Sequence, residues 1–80
     1  MQTIGKYEIE GGGSYPEQYD VYLNGKEVGY LRLRYGQFRA EVYGHVVYTA
    51  ETEGKGCFED SERDKYLHAA ILAIDEYING

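Results

Sequence analysis

The sequence predicts an α+β fold: an antiparallel meander sheet of four to five strands with one C-terminal α-helix packed on one face. Two observations carry this expectation. From Lys6 to Glu51 the chain runs in short stretches of alternating apolar and polar residues separated by glycine-bearing turns, the two-residue period of half-buried strands. From Leu67 to Ile78 the apolar spacing changes to 4-3-4, the period of an amphipathic helix. Ten tyrosines and eleven glycines agree, because tyrosine suits strands and glycine suits the tight turns between them. Eighty residues make one domain, 1–80, whose single core buries only about 60% of the unfolded surface, so stability is modest unless another subunit contributes.

The elements follow in order. Lys6 to Glu10, "KYEIE", alternates Tyr7 and Ile9 with charges and reads as a short strand. Gly11 to Gln18, with three glycines and the only proline, reads as a flexible connector. Asn24-Gly25 is a hairpin signal, since both residues tolerate positive φ. It sets Leu23 opposite Lys26, Val21 opposite Val28 and Tyr19 opposite Tyr30. Strict alternation then splits Val28 from Leu31 and Leu33, and Gly29 stands where the phase must change, so a bulge is expected there. The next turn centres on Tyr35-Gly36 or Gly36-Gln37, pairing Leu33 with Phe38 or with Ala40. Either choice sends Leu31, Leu33, Phe38, Ala40 and Val42 to one face. Gly44-His45 turns the chain into Val46–Glu51, with Val46 or Val47 pointing inward. Asp60 or Ser61 is expected to cap the helix by accepting from the free N–H groups of its first turn, with Ser61 and Asp64 at capping-box spacing. Its stripe is Leu67, Ile71, Ile74 and Ile78, with Ala70 and Ala73 allowing close approach to the sheet.

Charge and cysteine content narrow the functional classes. Fourteen acids against eight bases give a formal charge of −6, which repels nucleic acid at long range and suits a basic partner. A single cysteine, Cys57, cannot form an internal disulfide and points to the reducing cytoplasm. The start has no apolar core of a secretory signal, and no apolar run approaches the ~18 residues of a membrane span. One cysteine and two histidines do not make a structural zinc site, and no nucleophile–base pair can be drawn. Cys57 reads as a small buried residue and His68 as a helix-surface partner of Asp64. No catalytic residue, metal or cofactor is therefore expected.

Two surfaces remain. One is the uncovered sheet face, carrying Tyr22, Tyr30, Arg32, Arg34, Arg39, Glu41 and Tyr43. Tyrosine and arginine are the residues enriched at interface hot spots, although a solvated strand face accounts for them equally well. The other is the acidic segment Glu51, Glu53, Glu59, Asp60, Glu62 and Asp64, opposed by Lys55 and Arg63. It imitates a run of phosphates, but capping of the helix and solvation explain the same residues. Direct nucleic-acid binding is disfavoured by the charge, by the absence of an RNP-like pattern and by the acidic helix start "EDSERDKY".

"YLNGKEVGYLRLRYGQF" followed by "GKGCFEDSERDKYLHAAILAI", about three quarters of the chain, resembles short reading frames of phages and mobile elements that carry no assigned activity. In size, acidity and lack of catalytic groups the chain is also similar to anti-CRISPR proteins. That resemblance implies a non-catalytic inhibitor that occludes a basic nucleic-acid-handling protein such as a Cas effector, and it assigns no residues. The alternative is a self-associating module, a homodimer through the open sheet face with Arg32, Arg34 and Arg39 meeting acids across a two-fold axis.

Overall fold

Turn chemistry sets the topology. Asn24-Gly25, Tyr35-Gly36 and Tyr43-Gly44 each place a non-glycine residue at φ 54°, 55° and 49° ahead of a glycine at 81°, 76° and 85°. Two successive left-handed residues make the type I′ hairpin turn, whose twist matches that of the strands it joins. The computed structural model, which describes residues 2–80, accordingly shows a pure meander. Its strands are β1 (Gln2–Ile4), β2 (Tyr7–Gly12), β3 (Glu17–Leu23), β4 (Lys26–Arg34), β5 (Gln37–Val42) and β6 (His45–Glu51), followed by helix α1 (Asp60–Asn79). The sheet is antiparallel throughout, in the order β1-β2-β3-β4-β5-β6.

The α+β meander with one helix is as the sequence predicts, but the strand number is six rather than four to five. The added strand is β1, three residues long and too short to show a period. The glycine run also departs from expectation. Gly11 and Gly12 pair with Tyr19 and Gln18, so only residues 13–16 connect β2 to β3. That connection is tied down, because the N–H groups of Tyr15 and Glu17 both donate to the Gly56 carbonyl at 2.8 Å.

Two bulges bring the core into phase. Val21 pairs with Gly29 and Tyr22 with Glu27, leaving Val28 as the extra residue. The bulge near Gly29 is present, while Tyr19 pairs with Leu31 and Tyr30 with Asp20, one residue from the expected register. Val21, Val28, Leu31 and Leu33 are all buried. A side chain on Gly29 would begin 2.9 Å from the Glu41 carbonyl oxygen and 3.2 Å from Ile74 Cδ1, so glycine here admits the helix. In β6, Ala40 pairs with Tyr48 and Glu41 with Val46. Val47 is the residue left over, and it packs against the core while Val46 stays exposed. The turn into β6 is Tyr43-Gly44 rather than Gly44-His45, since Val42 pairs with His45.

Helix α1 buries Leu67, Ala70, Ile71 and Ile74 against the sheet. The stripe closes at Ile74. Ile78 is exposed, and Tyr77 beside it stacks on His45 at the sheet edge, centroids 6.2 Å apart. The helix N-cap is Glu59, not Asp60 or Ser61. Glu62 takes the position expected of Asp64, accepting the Glu59 N–H at 2.9 Å. Its two carboxylate oxygens also accept from Glu53 N–H and Gly54 N–H, both at 2.9 Å, which ties the preceding loop to the first helical turn. That loop is further held by Phe58, buried edge-on to Phe38 at 4.9 Å and stacked on Tyr66 at 5.8 Å. Cys57 beside it is only half-buried, so Phe58 is the anchoring residue of the pair.

One polar cluster lies inside this shell. The Glu17 side chain is fully buried and accepts from Arg63 Nε at 2.8 Å, Arg63 Nη2 at 3.2 Å, Phe58 N–H at 2.8 Å and the Tyr19 hydroxyl. Burial by itself would push the Glu17 carboxyl up. The Arg63 guanidinium, the Tyr19 hydroxyl and the Phe58 amide outweigh it and hold the group below its ordinary value of 4.5. Burial likewise opposes the three amides around Glu62, and the amides prevail, so that carboxyl also lies below 4.5. The Tyr7 and Tyr19 phenols are pushed up to about 12, first by burial and then by the carboxylates of Asp75 and Glu17 that accept their hydrogen bonds.

Arg63→Ala strands a buried carboxylate and is expected to cost about 3–5 kcal/mol in urea unfolding, a large share of the ~5–15 kcal/mol of a small domain. Glu17 and Glu62 are depressed in the fold, so their contribution is present above pH 4.5 and is lost as pH falls through the folded values. Tyr7 and Tyr19 are raised, so theirs is present below pH 10.0 and fades as pH rises toward about 12. A melting-temperature profile should therefore fall as pH drops below 4.5 and as it rises above 10.0. Gly29→Ala is expected to lose ~1–3 kcal/mol by overpacking against Ile74 and the Glu41 backbone, read in the same urea titration.

Candidate interaction surface

A single helix covers one side of the sheet, and pairing registers fix what lies on the other. Residues two apart along a strand share a face, so the open face divides into rows running across the strands. The first row holds Glu8, Tyr22 and Glu27, the second Glu10, Asp20, Tyr30 and Glu41. The third holds Gln18, Arg32, Arg39 and Thr49, and the fourth Arg34, Gln37 and Glu51. Charge thus changes sign along the strand direction. The first two rows contain carboxylates without a base, and the last two contain the three arginines with Glu51 alone in opposition.

Both ends are electrostatically unsatisfied. Arg32 stands directly across from Arg39, a like-charge pair that mildly destabilises a sheet. The ion pairs among the described residues are Lys6–Asp75, Arg63–Glu17 and Arg63–Asp60, none of which uses Arg32, Arg34 or Arg39. The three arginines border a shallow depression of about 200 Å³ with Tyr35, Gln37 and Glu41, and Arg34 lies over the Tyr35 ring at 5.2 Å. At the acidic end, the neighbouring Asp20 carboxyl group pushes the Glu27 carboxyl above 4.5. The Tyr22 phenol is pushed up by desolvation on the crowded face and then by Asp20, Glu27 and Glu10. Tyr30 lies at the boundary, its hydroxyl donating to Gln18 of the arginine row.

The sequence-predicted residues separate into groups. Tyr22, Tyr30, Arg32, Arg34, Arg39 and Glu41 share the open face, as expected. Tyr43 does not: it is a turn residue at φ 49°, exposed at the β5–β6 corner. The acidic segment does not form a single surface. Glu51 ends the fourth row of the sheet. Glu53 and Glu59 are exposed in and after the loop, Asp60 is paired with Arg63 at 2.7 Å, and Asp64 is exposed on the helix. Glu62 is 8% exposed, with its carboxylate filled by backbone amides, so it offers nothing to a partner. His68 contacts the backbone carbonyl of Asp64 at 2.8 Å rather than its side chain.

Sequence reasoning passed over one acidic patch: Glu8, Glu10, Asp20 and Glu27 around Tyr22. The signal was present, because "YEIE" and "YDVY" alternate these acids with the buried Tyr7, Ile9, Tyr19 and Val21. Their convergence needed the β2–β3 and β3–β4 registers. The opposite flank of the molecule carries a groove of about 520 Å³ between the β1–β2 corner and α1, lined by Ile4, Tyr7, Ile71 and Leu72. Its acid, Asp75, is already engaged by the Tyr7 hydroxyl at 2.8 Å and Asn79 at 2.7 Å.

Because Glu27 is harder to ionise in the fold than in the unfolded chain, its charge detracts from stability above its folded value and not below the ordinary one. Glu27→Gln should therefore raise the melting temperature at pH 7 and leave it unchanged near pH 3.5, each compared with the wild type at the same pH. Comparison of the chain with family models, with curated proteins and with solved structures finds no match.

Proposed function

We propose that this protein is a non-catalytic binding protein that uses the open face of its sheet to occlude a basic, nucleic-acid-handling protein. One observation carries the reading: two adjacent rows of that face hold Glu8, Glu10, Asp20, Glu27 and Glu41 with no base among them. Repulsion inside such a patch is relieved by an incoming cationic surface, and the same field accelerates the encounter. The patch is mounted on paired strands, so its backbone is ordered before binding and the ordering cost of association falls on the side chains alone. Rows about 7 Å apart place the carboxylates at a spacing close to that of successive phosphates along a nucleic-acid strand. Tyr22 and Tyr30 add aromatic contact area between the acids, the composition that supports interface hot spots. The resemblance to anti-CRISPR proteins names one class of target, a Cas effector whose basic channel normally holds nucleic acid.

The test uses the neutralised variant Glu8→Gln/Glu10→Gln/Asp20→Asn/Glu27→Gln beside the wild type. Wild-type protein immobilised in a nuclease-treated bacterial lysate should retain a nucleic-acid-binding protein and block that protein's binding in a mobility-shift assay. Retention should weaken severalfold between 50 and ~150 mM salt, as exposed charge contacts do. The neutralised variant should retain and block nothing. Unchanged retention by that variant, or loss only on Glu53→Gln/Glu59→Gln/Asp64→Asn, would sink the open-face reading.

A further inference from the structure

The open face is self-complementary, and we infer that in the absence of its target it is masked by a second copy of this chain. The inference rests on the open face being the contact surface and adds what regulates it. The acids occupy the β3–β4 hairpin end of the strands and the arginines the β4–β5 hairpin end. A two-fold axis lying in the face, perpendicular to the strands and between the Tyr30 and Arg32 rows, therefore brings unlike rows together. Such an axis keeps each strand over its own copy and reverses its direction. Arg39 then faces the second copy's Glu41, and Arg34 faces the second copy's Glu27. Arg32 meets the second copy's Tyr30, with Asp20 on the neighbouring strand. In aligned packing of two twisted sheets, within about 30°, the neighbours closest to the axis stay matched. The interface is isologous, so each contact occurs twice.

The same operation relieves both of the face's repulsions. The Arg32–Arg39 pair, which forms no ion pair among the described residues, gains acids, and the Asp20–Glu27 pair gains guanidinium groups. The match is incomplete, since Glu8, Glu10, Asp20, Glu27, Glu41 and Glu51 outnumber Arg32, Arg34 and Arg39 on the face. A more basic surface therefore displaces the second copy. The dimer is a resting state from which the target draws the monomer.

Sedimentation equilibrium of the full chain over a wide concentration range measures this directly. Wild type should shift from one to two chains with rising concentration. Arg39→Glu alone and Glu41→Arg alone should each weaken association by at least about 10-fold, since close charge pairs at interfaces couple strongly. An equimolar mixture of the two single variants restores both contacts and should recover association to within about 3-fold of wild type. Decalysine, used as the basic probe, should convert the wild-type dimer to a complex with one chain. All these positions are on the solvent side of the sheet, and circular dichroism of each variant confirms the fold. A wild type that stays monomeric at ~1 mM, singles that associate normally, or a mixture that fails to recover would each overturn the dimer. None of those outcomes touches target retention by the acidic rows, and loss of that retention leaves these masses unchanged, so the two readings fail separately.

Discussion

The molecule turns on the buried ion pair between Glu17 and Arg63. Glu17 opens β3, and Arg63 lies in the first turn of α1, 46 residues away along the chain. Their contact brings the loop after β6 back over the start of β3, where Phe58 donates its amide to the same carboxylate and places its ring on Phe38. A lone carboxylate in that position would be expelled toward water or protonated. Satisfied by a guanidinium fork, an amide and a phenol, it instead defines one position for the loop and one entry angle for the helix. The price in desolvation is substantial, and a hydrophobic substitute of the same shape would be as stable. The cluster fixes where the loop and the first helical turn sit against β3.

From that arrangement the open face follows. A helix seated through Leu67, Ala70, Ile71 and Ile74 shields only the side of the sheet where Leu31, Leu33, Phe38, Ala40 and Val42 point. The other side meets solvent across all six strands, and both bulges are needed to keep it polar. Without Val28 and Val47 as extra residues, strict alternation would send core side chains outward and charged ones inward. The Asn24-Gly25 turn sets Glu27 in one row with Tyr22 and Glu8, and the Val28 bulge keeps Tyr30, Arg32 and Arg34 on the same face.

Glu62 and Arg63 illustrate how local sequence misleads about charge. Both lie in a run of acids with two bases that looks like a solvated or phosphate-imitating segment. In the fold, neighbours in sequence face opposite tasks: Glu62 closes the loop through three amides, and Arg63 reaches into the sheet. What remains exposed of the segment is scattered over a loop, a cap and a helix surface. The acids of β2, β3 and β4, spread over twenty residues of sequence, converge instead because adjacent strands lie about 4.8 Å apart.

The sequence by itself determined the meander, the single C-terminal helix, the bulge at Gly29 and the two-faced character of β4 and β5. Each of these depends on local patterns: a period of two or of 3.6, a glycine that admits left-handed backbone, an Asn-Gly pair. Tertiary structure decided the rest, namely the three-residue β1, the pairing of Gly11 and Gly12, the cap at Glu59, the burial of Glu17 and Glu62, and the sorting of surface charge into opposed ends. These depend on which distant residues become neighbours. A carboxylate in sequence looks the same whether it will meet water, an arginine 46 positions away or another carboxylate across a strand, and only the register distinguishes them.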